Sequence, residues 1–168
     1  MKFEKVSKET FANSLKSFSD GREIYEEHVA NIAYDNIILP KRSTAGSAGY
    51  DFYFPYDVTI PARGTVIIPS GIKVELDKDK VLMIAPRSSF GIKHHMKLTN
   101  TQAYIDSDYY NNESNEGHIL IGITSENDKD VTFKAGEKFV QGIIIRYFIV
   151  DNDNTTTVRT GGIGSTGK

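Results

Sequence analysis

From Asn36 onward the chain is written in short β-branched and aromatic runs, broken at the spacing of hairpin turns by Pro, Gly, Asn or Asp. No segment between these runs has the length and 3.6-residue period of a crossover helix, so parallel βαβ architectures are excluded and an all-β sandwich or barrel is expected. Strands are predicted over 58–60, 65–68, 72–76, 81–85, 102–105, 118–124, 131–133 and 139–150. Two of these, 118–124 and the Gly142-Ile143-Ile144-Ile145 stretch of the last, carry apolar residues on both faces and are expected to lie between two layers. The polar tract 151–157 reads as a linker to a glycine-rich tail, in which four of the fourteen glycines fall within the last eight residues.

Residues 1–31 follow another pattern. Phe11, Leu15 and Phe18 recur at helical spacing behind Ser7 as a cap, and Asp20 with Glu23 matches a capping box, which predicts two short helices. The division expected is therefore a helical N-terminal extension over 1–31, a β domain over 32–150, and a linker with tail over 151–168. No chemistry is assigned to the extension, which is left as the candidate contact for a protein partner.

The 168 residues suit one domain that folds around a single core. With 20 basic against 22 acidic side chains and no basic cluster, the charge pattern argues against nucleic acid as a partner. No apolar stretch approaches a membrane span and the first residues lack a signal peptide's apolar segment, so a cytoplasmic chain without membrane contact is expected, and the sequons at Asn112 and Asn154 are read as chance. Zero cysteines exclude disulfides and thiolate metal sites. The four histidines make no metal set, His94 and His95 being adjacent and expected to point apart on a strand.

Five segments could carry chemistry. Ala48-Gly49-Tyr50-Asp51 is a glycine turn into a strand bearing one carboxylate. Ala85-Pro86-Arg87-Ser88-Ser89-Phe90-Gly91 sets a guanidinium and two hydroxyls, groups suited to phosphate oxygens, in a turn behind an apolar strand. In 100–109, strand alternation puts Tyr104 and Asp106 on one face and Ile105 on the other, with Asp106 at the strand's end, where a carboxylate can orient a water as general base. Tyr109 offers a flat face to a sugar or base. Gln141, in Gly136-Glu137-Lys138-Phe139-Val140-Gln141, must satisfy a backbone group or reach a ligand. The tail, Arg159 to Lys168, combines glycine-freed amides, hydroxyls and cations in a phosphate-cradling composition. It fits part of a Walker A pattern but lacks the following Ser/Thr and helix that a P-loop needs. Each segment also has a plain reading as a turn or loop.

In this order, these segments resemble the trimeric deoxyuridine triphosphatases (dUTP nucleotidohydrolases, dUTPases) over about 130 residues, from Ile38 to Lys168. The resemblance implies a β jelly-roll-like subunit, a homotrimer with active sites shared between chains, and hydrolysis of the small-molecule substrate dUTP to dUMP and pyrophosphate. It implies that Asp106 activates the attacking water and that Tyr109 packs on the deoxyribose and excludes a 2′-hydroxyl. Asn100 and the main chain of Tyr104 and Ile105 would read uracil, while Arg87, Ser88, Ser89 and Gln141 would hold phosphates. Arg159, Gly162, Gly164, Ser165 and Thr166 would close over the γ-phosphate. Mg2+ would ride on the triphosphate with no direct protein ligand, Asp51 being at most an indirect or structural partner. The chain departs from the family pattern at Ser89 for a frequent glycine, at Ile163 for a stacking phenylalanine, in the spacing of Arg159 from the glycine pair, and through an insertion at 110–117. A dCTP deaminase-like enzyme and a dUTP-responsive regulatory binding protein are the competing readings. Asp106 followed by Tyr109 favours the hydrolase.

Overall fold

A computed structural model describes residues 1–18, 27–157, 159 and 161. The chain is all-β and jelly-roll-like, with three short helices among the described residues. In order the elements are β1 (Lys2–Lys5), α1 (Lys8–Phe18), α2 (Glu27–Asp35), β2 (Tyr50–Tyr53), β3 (Val58–Ile60), β4 (Thr65–Pro69), β5 (Ile72–Glu75), β6 (Lys80–Pro86), α3 (Ser88–Ile92), β7 (Met96–Leu98), β8 (Ala103–Ile105), a 3-10 turn (Ser107–Tyr109), β9 (Leu120–Ser125), β10 (Val131–Phe133) and β11 (Lys138–Arg146).

All pairings are antiparallel. One sheet runs β2-β11-β6-β8 and faces a second, β4-β9-β7, while β1 pairs with β5 and β3 with β10. Phe52, Leu82, Ile84, Phe139 and Val140 of the first sheet meet Ile68, Leu98, Ile121 and Ile123 of the second in one core. Phe54 stacks on Phe139 with ring centroids 4.2 Å apart and on Phe133 at 5.2 Å. These large rings, with β-branched side chains on alternate positions, are what a two-layer β core requires.

The N-terminal segment belongs to that core. Ser7 caps α1 through its hydroxyl, which accepts the Thr10 N–H at 3.1 Å, and Phe11 and Leu15 are fully buried, as their spacing predicts. Val6, Ala30, Ala33 and Ile37 join the same cluster. The expected boundary at residue 31 falls inside α2. The Asp20–Glu23 capping box lies outside the described residues.

Several sequence expectations need correction. The last strand ends at Arg146, not 150, and Ile145 is exposed, because no layer among the described residues covers the far end of β11. The strand predicted over 118–124 begins at Leu120, and along β9 buried and half-buried positions alternate, since it is covered fully on one face only. His95 sits at a φ of 50° in the turn before β7, so the two histidines are not on a strand. Strands β1 and β7 and helix α3 were not expected, being short and held mainly by tertiary pairing.

Candidate active site

Two clefts, at opposite ends of β6, hold Arg87, Ser88, Ser89 and Gln141 on one side and Tyr104 and Asp106 on the other. Register places Leu82 opposite Ile105 and Met83 opposite Tyr104, so Asp106, just past β8, lies beside Val81. Arg87 follows the other end of the same strand. Six residues of extended chain separate Val81 from Arg87, roughly 20 Å at ~3.3 Å per residue.

The cleft at the Arg87 end has a volume of about 340 Å³ and is lined by Ser43, Ser47, Gly49, Asp51, Arg87, Ser88, Ser89 and Gln141. Asp51 is its buried anchor. Its Oδ1 forms an ion pair with Arg87 Nε at 2.9 Å, and its Oδ2 pairs with Lys138 Nζ at 2.9 Å and accepts from Ser43 Oγ at 2.6 Å. Burial alone would raise its pKa, but the Ser43 and Lys138 hydrogen bonds and the Arg87 charge outweigh it and hold the carboxyl below its ordinary value. The register of β11 explains the gathering, for Gln141 stands opposite both Asp51 of β2 and Ala85 of β6. Gly49 lets Gln141 approach closely: a Cβ on it would lie 2.6 Å from Gln141 Oε1 and make that side chain shift. Ser88 and Ser89 open α3 directly after Arg87.

The cleft at the Asp106 end is larger, about 850 Å³, and is lined by Glu75, Leu76, Lys78, Val81, Tyr104, Asp106, Ser107, Asp108, Tyr110 and Tyr147. Tyr104 and Asp106 share it, as alternation predicts, while Ile105 packs against the core. The turn that follows folds on the Asp106 carbonyl, which accepts the Tyr109 N–H at 3.1 Å. Arg159 bridges the two acids, donating from a terminal nitrogen to Asp106 Oδ2 at 2.8 Å and from Nε to Asp108 Oδ1 at 3.0 Å. Its guanidinium carbon stands 5.6 Å from the Tyr109 ring centroid. Tyr109 is buried, and burial raises its pKa against the lowering effects of Asn115 and Arg159.

Arg87, Ser88, Ser89 and Gln141 thus meet in one cleft and Tyr104 and Asp106 in the other, with Arg159 bound to Asp106. Asn100 is exposed in the turn before β8 and lines neither cleft. Gly162, Gly164, Ser165 and Thr166, like Ile163, lie outside the described residues. Sequence reasoning missed Ser43 and Lys138 as partners of Asp51, and Asp108 as the second anchor of Arg159. Only the Asp106-Ser107-Asp108 spacing held a local clue, since contacts between distant segments leave no local signal.

A β subunit that presents carboxylates beside an aromatic ring at one end of a sheet, and an arginine-serine turn at the other, has the parts of a nucleoside phosphate-binding protein. Comparisons narrow the class. The family model described as dUTPase matches residues 35–167. A Lactococcus lactis protein named deoxyuridine 5′-triphosphate nucleotidohydrolase is 39% identical over 133 residues, covering 78% of this chain and 89% of that one. The crystal structure of dUTPase from Streptococcus mutans matches with a TM-score of 0.70 and 32% identity, over 90% of this chain and 100% of that chain. A variant dUTPase from phage phi11 of S. aureus, described with a structural Mg(II) ion, shares the fold at a TM-score of 0.62 and 16% identity, over 75% of this chain and 94% of that chain. The chain belongs to the dUTPase family.

Proposed function

We propose that the protein hydrolyses dUTP to dUMP and pyrophosphate at sites formed between copies of a homotrimer, a reaction that limits uracil incorporation into DNA and supplies dUMP. The observation that carries the shared-site reading is the separation of the two clefts along β6. A water-activating carboxylate and a phosphate-holding guanidinium must converge on one triphosphate, which ends roughly 20 Å apart on one strand cannot do. Two copies packed so that the Asp106 end of one meets the Arg87 end of the next satisfy the requirement, and a cyclic assembly repeats it in every copy. An exposed run just past the end of β11, with Phe148 82%, Ile149 71% and Val150 69% accessible, supplies apolar surface for that packing.

In the reaction Asp106 orients a water and takes its proton as the oxygen attacks the α-phosphorus. The bond to the bridging oxygen breaks and pyrophosphate leaves. Tyr109 bounds the deoxyribose and leaves no room for a 2′-hydroxyl, while Asn100 with the main chain of Tyr104 and Ile105 reads the uracil edge. Arg87, pre-aimed by Asp51, holds the phosphate chain with Ser88, Ser89 and Gln141. Arg159 exchanges the Asp106 and Asp108 carboxylates for the γ-phosphate when nucleotide enters, and Gly162, Gly164, Ser165 and Thr166 add amides and hydroxyls to that closure.

The donor set suits a cation brought by the substrate. Among the described residues no three His, Asp or Glu side chains converge as a metal site, and both Asp51 oxygens are engaged by other side chains. Mg2+ is commonly held by phosphate oxygens and waters with few protein ligands. Bound in that way, it would neutralise charge on the triphosphate and the departing pyrophosphate, with Asp106 and Asp108 the nearby carboxylates of the cleft.

The direct test is hydrolysis with Mg2+ of dUTP beside dCTP, dTTP and UTP. Rapid release of pyrophosphate from dUTP alone is expected. Ammonia release from dCTP would replace this reading with a deaminase, and dUTP binding without turnover would replace it with a binding protein.

A further inference from the structure

The two segments that sequence reasoning left without chemistry, the N-terminal extension and the 110–117 insertion, are bound to each other. Tyr110 donates its hydroxyl proton to Glu4 Oε2 in β1. The Glu116 carboxylate accepts the Ser7 N–H at 3.0 Å and the Thr10 hydroxyl at 2.6 Å, and it pairs with Lys73 at 3.3 Å. Directly after the insertion, the buried His118 ring accepts the Gly71 N–H at Nε2, 2.8 Å away, so Nδ1 carries the proton and faces Ser14 Oγ at 3.0 Å. Three successive rungs therefore fasten 110–118 to the segment from β1 to α1.

The insertion's other side holds Tyr109 at two points. Asn112 Nδ2 donates to the Tyr109 backbone carbonyl at 2.9 Å, and Asn115 Nδ2 donates to the Tyr109 hydroxyl oxygen at 2.8 Å while that hydroxyl donates to the His118 carbonyl at 3.1 Å. The two amides lock each other, Asn112 Nδ2 reaching Asn115 Oδ1 at 2.8 Å and Asn112 Oδ1 taking the Asn115 N–H at 3.2 Å. Gly117, at a φ of 79°, closes the knot where a Cβ would lie 2.6 Å from the Tyr109 carbonyl.

A wall that excludes a single hydroxyl discriminates only as far as it resists displacement, and resistance comes from the groups that fix the wall. We infer that Asn115 is a positioning residue that sets the selectivity for deoxyribose over ribose by fixing the Tyr109 ring, with the N-terminal segment anchoring it through Glu116. The inference rests on the reading of Tyr109 as the sugar-facing residue. Asn115 touches no substrate in this scheme and acts through the tyrosine hydroxyl.

The test is the ratio of kcat/KM for dUTP to that for UTP in the full chain. Asn115→Ala is expected to lower this ratio about 10-fold, mainly through faster UTP hydrolysis. In a Tyr109→Phe background the same change is expected to have no further effect on the ratio, because the hydroxyl that it holds is gone. Glu116→Gln, which loosens the anchor without touching Tyr109, should lower the ratio about 3-fold and carries the test if Asn115→Ala does not fold. An unchanged ratio in the folded variants, or an equal effect of Asn115→Ala with and without the hydroxyl, would overturn the proposal. Tyr109→Ala separates the two levels. If it leaves the wild-type ratio intact, the sugar-facing reading of Tyr109 fails; if it collapses the ratio while Asn115→Ala does not, only the positioning role fails.

Discussion

Asp51 and Asp106 put the same side chain to different uses through their surroundings. Asp51 is 5% exposed and is paired with two cations and one hydroxyl, so its charge is consumed in fixing Arg87 and Lys138. Asp106 has a side chain 55% exposed beside a cleft and is engaged by one arginine that a phosphate can draw away. Asp106→Asn is expected to retain dUTP binding while turnover falls by about two or more orders of magnitude, measured by pyrophosphate release and by calorimetric titration. Asp51→Ala strands a guanidinium and an ammonium, and an unfolding free energy lower by about 2–4 kcal/mol is expected in urea titrations, with a raised KM for dUTP. The sequence shows the kind of chemistry at both positions, because a carboxylate at a strand end and an arginine in a turn are local facts. The Asp51–Arg87–Lys138 cluster is not legible there, since it is created by the register of β11 between β2 and β6.

Helix α1 is legible in the sequence because its signals are local: Ser7 to cap it, with Phe11 and Leu15 on its buried face. Strand β1 is not, for a Lys-Phe-Glu-Lys tetrapeptide becomes a strand only by pairing with β5. The hydrogen bonds between α1 and 110–118 give this joint a pH dependence. Desolvation lowers the His118 pKa from 6.5 to about 4, only partly opposed by the Glu116 charge, and the Glu116 pKa falls from 4.5 to about 2, its Ser7, Thr10 and Lys73 hydrogen bonds overcoming the opposing effect of burial. Both groups take up protons more readily in the unfolded chain, so stability is full above pH ~6.5 and declines as the pH falls, first through the His118 window and then through that of Glu116. Urea unfolding at pH 7 and 4.5 should show the wild type losing about 2 kcal/mol more than His118→Asn over the same interval. Equal losses would show that His118 does not couple the fold to pH.

At the scale of the molecule, one antiparallel sheet, β2-β11-β6-β8, carries both clefts but holds them apart along β6. The hydrophobic pattern gave the class of fold correctly because alternate burial along strands is written locally. It carried the last strand on to Val150 and placed Ile145 between two layers, however, where the structure ends β11 at Arg146 and leaves Ile145, Phe148, Ile149 and Val150 exposed. An apolar run that one chain cannot cover looks the same in sequence whether its cover is internal or another copy. A trimer is therefore expected in sedimentation equilibrium, and replacing Phe148 and Ile149 by serine should weaken it and lower activity in parallel. The most direct test of sites shared between chains is complementation. Asp106→Asn and Arg87→Ala chains, each nearly inactive alone, are unfolded, mixed in equal amounts, refolded together and assayed with dUTP. If each site takes Asp106 from one copy and Arg87 from its neighbour, about one quarter of the sites in random cyclic trimers receive both intact residues, and activity should rise to about that fraction of wild type. Mixed trimers that form and remain as inactive as the separate variants would contradict it.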